Sequence, residues 1–173
     1  MFRLSYWLVL AVFISGASLH VTAVSSVSAA NTSCNFDRNT QIAVDYEQFQ
    51  LAAGKKAHAT SVPYGKIWAP GGKPLTLFTN TPVSVGGEQL SDGAYTMFIL
   101  PQEKSWTLII SKSTDTSGKY DKNDDLARIP MDFGQLPEAE LEFSAYFAQT
   151  ATNQCDLRLD LGKDRAWVAF KRK

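Results

Sequence analysis

The sequence is short of the machinery that most enzymes use. It has two histidines, and His20 lies in the N-terminal leader. His58 is then the sole imidazole, so a two-histidine metal site cannot be built and any catalytic triad would depend on that one side chain. Asp45 or Glu47 can orient it only across an undefined loop, so the expectation is an exposed loop histidine beside Lys55 and Lys56. No G-x-S-x-G, H-E-x-x-H, C-x-x-C or P-loop spacing occurs, which removes the common hydrolase, protease, redox and nucleotide signatures. No charge of one sign dominates: 17 basic residues face 17 acidic ones. That balance gives no electrostatic reason to expect nucleic acid or an anionic membrane as a partner. Beyond the leader there is no long apolar run, no long helical period, no repeat and no shift of composition that would divide the chain.

The leader itself is informative. Arg3 precedes an apolar run from Leu4 to Ile14, and small and polar residues follow, ending at Val27-Ser28-Ala29 or Ser28-Ala29-Ala30. This is the pattern of a secretory signal peptide. Gly16, Ser18, His20 and Thr22 interrupt the apolar run before it reaches the roughly 20 residues of a spanning helix. The reading is a signal at residues 1–30 and one domain at residues 31–173. The chain is then exported, periplasmic or secreted, with no membrane span after processing.

Cysteine is scarce, with two residues. In an exported protein such a pair reads as a disulfide, Cys34–Cys155, tying the N-terminal segment to a late strand.

Strand signals are abundant. Gln41–Tyr46 alternates Ile42, Val44 and Tyr46 against Ala43 and Asp45. Apolar runs at Leu75–Phe78, Val83–Val85, Tyr95–Leu100 and Trp106–Ser111 are separated by Gly, Pro, Asn, Asp and Ser clusters. Ala127–Met131 contains Pro130 and reads as an edge strand. Leu141–Phe147, Cys155–Leu161 and Ala166–Phe170 alternate again, with turns expected at Phe133–Pro137 and Gly162–Asp164. Glu, Gln and Ala in Glu47–Ala53 favour a short helix over a continued strand. Ser111–Asp125, the longest polar stretch, reads as an excursion at one end of the sheets. The sum is an all-β antiparallel sandwich of about nine strands.

Two stretches carry candidate chemistry. Asp121, Asn123 and Asp125 place oxygens at the first, third and fifth positions of a calcium loop. Leu126 occupies the place of its glycine and Asp132 that of its bidentate Glu, so a solvated acidic loop is the better reading and no cofactor is expected. Tyr64 and Trp68 stand near Gly71 and Gly72, where a ligand can approach the backbone. With Lys73 and Arg128 they form the tentative ligand-binding set. Packing at the open end of a sandwich is the competing role for Tyr64 and Trp68, and Trp106 and Trp167 read as core.

Val62-Pro63-Tyr64-Gly65-Lys66-Ile67-Trp68 is followed by Leu90, Gly93 and Tyr95, by Pro101, by Trp106-Thr107 and Ser111-Lys112, and by Tyr120, Asp121, Asp125 and Arg128. This series resembles a bacterial family known as domain of unknown function 2911 over roughly the whole chain beyond the leader. The resemblance implies export to the cell envelope and brings no established activity. Two features of that family are missing. Ala69–Lys73 replaces an Arg-Thr-Gly-Ala-Asn segment, and Glu47–Lys56 keeps only Gly54 and the lysines of an Arg-Pro and Lys-Gly-Arg segment. The functional expectation is a non-enzymatic binding or assembly module for a small molecule, glycan or envelope protein. The alternative is a hydrolase of unrecognised type using Asp121, Asp125 or His58 with a metal.

Overall fold

A computed structural model describes residues 27–51 and 62–173. Residues 1–26 and His58 lie outside the described residues, whereas residues 27–30, which the sequence assigns to the signal, are described as strand. Among the described residues ten strands form: β1 Val27–Asn35, β2 Gln41–Phe49, β3 Leu75–Thr79, β4 Val83–Val85, β5 Glu88–Leu90, β6 Gly93–Gln102, β7 Ser105–Ser111, β8 Asp125–Pro130, β9 Asp132–Ala151 and β10 Gln154–Arg172. Every pairing is antiparallel. The strands make a six-stranded sheet, β1-β2-β3-β6-β7-β8, and a four-stranded sheet, β5-β4-β10-β9. Among the described residues no helix is long and apolar enough to cross a membrane.

Alternation explains the layers. Ile42, Val44, Leu75, Leu77, Met97, Ile99, Leu108 and Ile110 of the large sheet are buried, as are Phe143, Leu157, Leu159, Leu161 and Phe170 of the small one. Residues two apart on a strand share a face, so strands such as β3, β4 and β8 sink alternate side chains into a common core. The Cys34–Cys155 disulfide crosses between the layers, from the outermost strand of the large sheet to β10 of the small one.

Four expectations need correction. Glu47–Phe49 continues β2, because Ala29, Ser28 and Val27 of β1 pair with Glu47, Gln48 and Phe49; the neighbouring strand outweighs a weak local helix preference. Phe133–Pro137 begins no turn, since Phe133, Gly134 and Gln135 pair with Ala166, Arg165 and Asp164 inside the long β9–β10 hairpin. Gly162–Asp164 is likewise not a turn. The register shifts there, Gly162 opposing Glu140 and Asp164 opposing Gln135, so β10 stays one strand across an irregularity. Gly162 supplies the positive φ of 62° that the kink requires. The shift changes which residues face inward: Leu157, Leu159 and Leu161 before it, Ala166, Val168 and Phe170 after it.

The fourth correction concerns the polar stretch after Ser111. It lies across the outer face of the large sheet rather than at its end. Thr96 gives both its N–H and its hydroxyl to the Ser113 carbonyl, and the Tyr120 ring stands edge-on to Phe98 at 5.3 Å. Phe98 and Ile109 face outward beneath this cover and are buried.

Candidate functional site

Each member of the sequence-derived set has its own partners. Trp68 exchanges both backbone hydrogen bonds with Ile99, at 2.8 and 2.9 Å, extending the large sheet. Its indole stands edge-on to Phe49, Trp106 and Phe143 at 6.2, 6.2 and 5.8 Å, inside the sandwich. Arg128 faces outward on β8 and donates from Nε to Asp125 Oδ2 at 2.8 Å. The Tyr120 hydroxyl donates to the same oxygen at 2.7 Å and accepts from the Arg128 guanidinium. Asp121 Oδ1 accepts the Asn123 N–H at 2.9 Å, which caps a single turn. Asp121, Asn123 and Asp125 thus serve the cover over the large sheet. Among the described residues no three His, Cys, Asp or Glu side chains gather at one point.

Tyr64 belongs to a second cluster. The register shift in β10 turns Asp164 toward the interior, where it is buried. The Tyr64 hydroxyl donates to Asp164 Oδ2 at 3.1 Å and Gln135 Nε2 donates to Oδ1 at 2.8 Å. Burial, and then the Asp164 carboxylate, push the Tyr64 phenol up to about 12. Between pH 10 and 12 the unfolded chain loses this proton while the folded one keeps it. The contribution is therefore complete below pH 10 and lost as the pH rises through 12. Absorbance titration of the phenols is expected to show a late step near pH 12 that Tyr64→Phe removes; a titration unchanged by that substitution would contradict the assignment.

Lys73 leads to a different place. Gly71, at φ 74°, brings the Pro70–Gly72 turn onto β2: a Cβ there would stand 2.5 Å from Glu47 Cβ. The absence of a side chain at Gly71 admits a neighbouring strand, not a ligand. The turn sets Lys73 Nζ 2.7 Å from Glu47 Oε1. Beside this ion pair runs an open groove of about 330 Å³ on the outer face of β1, β2 and β3. Asn31, Asp45 and Thr76 lie side by side across the three strands and form part of its floor. Thr116 forms a wall, and the covering segment is fixed there by Gly118, which packs on the Gly72 carbonyl. Two carboxylates, an amide and the Thr76 hydroxyl on paired strands thus meet the Lys73 ammonium and the Thr116 hydroxyl from the flanking segments. Asn31, Asp45 and Glu47 were not foreseen together as a site, because they converge only through strand pairing. The one available signal was the same-face spacing of Asp45 and Glu47.

A second groove, of about 400 Å³, lies against the small sheet and is lined by Ser84, Asp132, Trp167 and Lys171 among others. Trp167 is not core. With Ala166, Val168 and Phe170 buried, it faces outward, paired with Asp132 across the ladder. Trp106, by contrast, is fully buried as expected.

A family model described as "Protein of unknown function (DUF2911)" matches residues 28–170. No curated protein and no solved structure matches the chain.

Proposed function

We propose, from the premise that this chain belongs to that family of unknown function, that it is an exported cell-envelope module binding a saccharide rich in hydroxyl or amino groups. The ligand lies in the groove over β1, β2 and β3. The observation that carries this reading is the convergence of Asn31, Asp45, Glu47, Lys73 and Thr76 on one open groove. Carboxylates accept hydrogen bonds from hydroxyl and ammonium groups, and the amide and Lys73 supply donors for ring and carbonyl oxygens. Asn31, Asp45, Glu47 and Thr76, fixed on paired strands, lose little freedom when a ligand arrives. Export is supported by the leader pattern and by a disulfide of the kind that persists in oxidising compartments.

Calorimetric titration with amino sugars and short envelope glycans tests the assignment. Asp45→Asn and Thr76→Val are expected to weaken binding by roughly tenfold or more each, the scale of one charge-assisted hydrogen bond for the former. Silence across the panel, or binding indifferent to both changes, would sink it. The outward indole of Trp167, flanked by Asp132 and Lys171, supports a second reading in which the sugar stacks on the small sheet. Loss of binding in Trp167→Ala with normal binding in Asp45→Asn would select that groove. Turnover of a glycoside, ester or phosphate by the purified protein would replace binding with catalysis.

A further inference from the structure

Phe98 and Ile109 face outward from the large sheet and are buried beneath the covering segment. Phe78 faces the same way and is 42 % exposed. Its row across the strands is Ser33, Ala43, Phe78 and Ala94, so only short side chains flank it on β1, β2 and β6. Serine and alanine cannot lean over a phenyl ring, and its outer side is left open. The hollow around it has a volume of about 390 Å³ and is lined by Gln41, Ala43, Asn80 and Ala94 among others. A single exposed phenylalanine is ordinary in itself. What sets this one apart is the row beside it.

The next row along the strands is Asn31, Asp45 and Thr76, on the floor of the groove assigned above. Phe78 is two residues from Thr76 on β3, and its ladder partner Ala43 is two residues from Asp45 on β2. In the other direction from Asp45, again two residues away, stands Glu47 with its Lys73 partner. Same-face neighbours on a strand are about 7 Å apart, a step of the same scale as one sugar ring. The polar floor therefore lies between an ion pair on one side and an open aromatic ring on the other. A saccharide ring carries hydroxyls at its rim and C–H groups on its faces. The C–H groups are weakly positive and meet the negative face of the phenyl quadrupole. A peptide would gain less here, since β3 is bonded on both edges, to β2 and β6, and offers no free backbone for a strand to join. We propose that Phe78 is a second subsite of the groove, an aromatic platform on which the next ring of a linear oligosaccharide stacks; this rests on the saccharide reading above. The ligand is then a chain of two or more sugars, with one ring held by Asp45 and Thr76 and its neighbour by Phe78.

Calorimetric titration with glucosamine and with its linear dimer and trimer tests the subsite. The dimer and trimer are expected to bind roughly three- to tenfold more tightly than the single sugar, the scale of one aromatic stacking contact. Phe78→Ala is expected to remove that gain and leave the affinity for glucosamine unchanged, whereas Phe78→Tyr, which keeps the ring, retains the gain. Asp45→Asn is expected to weaken all three probes alike. Phe78 faces solvent, so an unfolding midpoint close to that of the unchanged protein shows that Phe78→Ala is folded when titrated. Equal affinity for all three probes, with Asp45→Asn still weakening each, would overturn the subsite and leave the groove reading standing. A gain with length that Trp167→Ala removes and Phe78→Ala keeps would put the second ring on the small sheet and overturn the subsite as well. Binding of none of the three would sink the groove reading and the subsite with it.

Discussion

Reduction of the Cys34–Cys155 bridge is expected to lower the free energy of unfolding by about 4–5 kcal/mol, the chain-entropy value for a loop of this length. The two half-cystines are 121 residues apart, so the crosslink restrains nearly the whole described chain in its unfolded state. The bridge is also placed where pairing alone is thin. β1 lies at the sheet edge, and most of its side chains are exposed, with Cys34 its one buried residue. Domains of this size commonly have about 5–15 kcal/mol of stability, so the loss would be a large fraction of the total. Urea unfolding of oxidised and reduced protein, followed by tryptophan fluorescence, measures it. Keeping both thiols in place is cleaner than substitution, which would add a cavity or a buried hydroxyl. A difference under about 1 kcal/mol would mean that the unfolded chain is already compact or that the folded bridge is strained, and the entropic account would fail.

What could be read from the chain and what could not divide along a physical line. β3, β4, β6 and β7 were legible because Leu75/Leu77, Val83/Val85, Met97/Ile99 and Leu108/Ile110 each put apolar residues two apart between turn-forming clusters. β1 carried no such signal. Val27–Asn35 is small and polar, and what makes it a strand is the row of β2 backbone groups beside it and the bridge at Cys34. Gly162 was ambiguous for a different reason: a positive-φ glycine serves a tight turn and a kinked strand equally, and only the register opposite Gln135 and Glu140 decides between them. The groove was least legible. Asn31, Asp45 and Thr76 come from three strands and become neighbours only when β1, β2 and β3 align. Trp167 was misjudged although its parity was visible, since Lys171 shares its face while Val168 and Phe170 take the other.

Trp68→Ala is expected to cost about 3 kcal/mol of stability and to leave ligand binding in the groove unchanged. Truncating a well-packed Trp or Phe to Ala costs roughly 3–5 kcal/mol, and the half-buried position of Trp68 places it at the low end. The loss has identifiable parts. Trp68 closes the edge-on contacts with Phe49, Trp106 and Phe143, so its removal opens a void where both sheets contribute rings. The backbone pairing with Ile99 survives the substitution, and the strand it extends should remain in place. Trp68→Phe, which keeps an aromatic ring at the same point, should recover a substantial share of the loss. Urea unfolding of the three proteins gives the stability, and titration with the glycan panel below the onset of unfolding gives the binding. The two readings of this residue predict opposite results. A packing residue changes the unfolding midpoint and leaves the affinity of the folded protein alone, whereas a recognition residue does the reverse. Binding lost in Trp68→Ala at wild-type stability would return recognition to the Tyr64–Lys73 segment. Asp45 and Glu47 would then be no more than the polar outer face of β2.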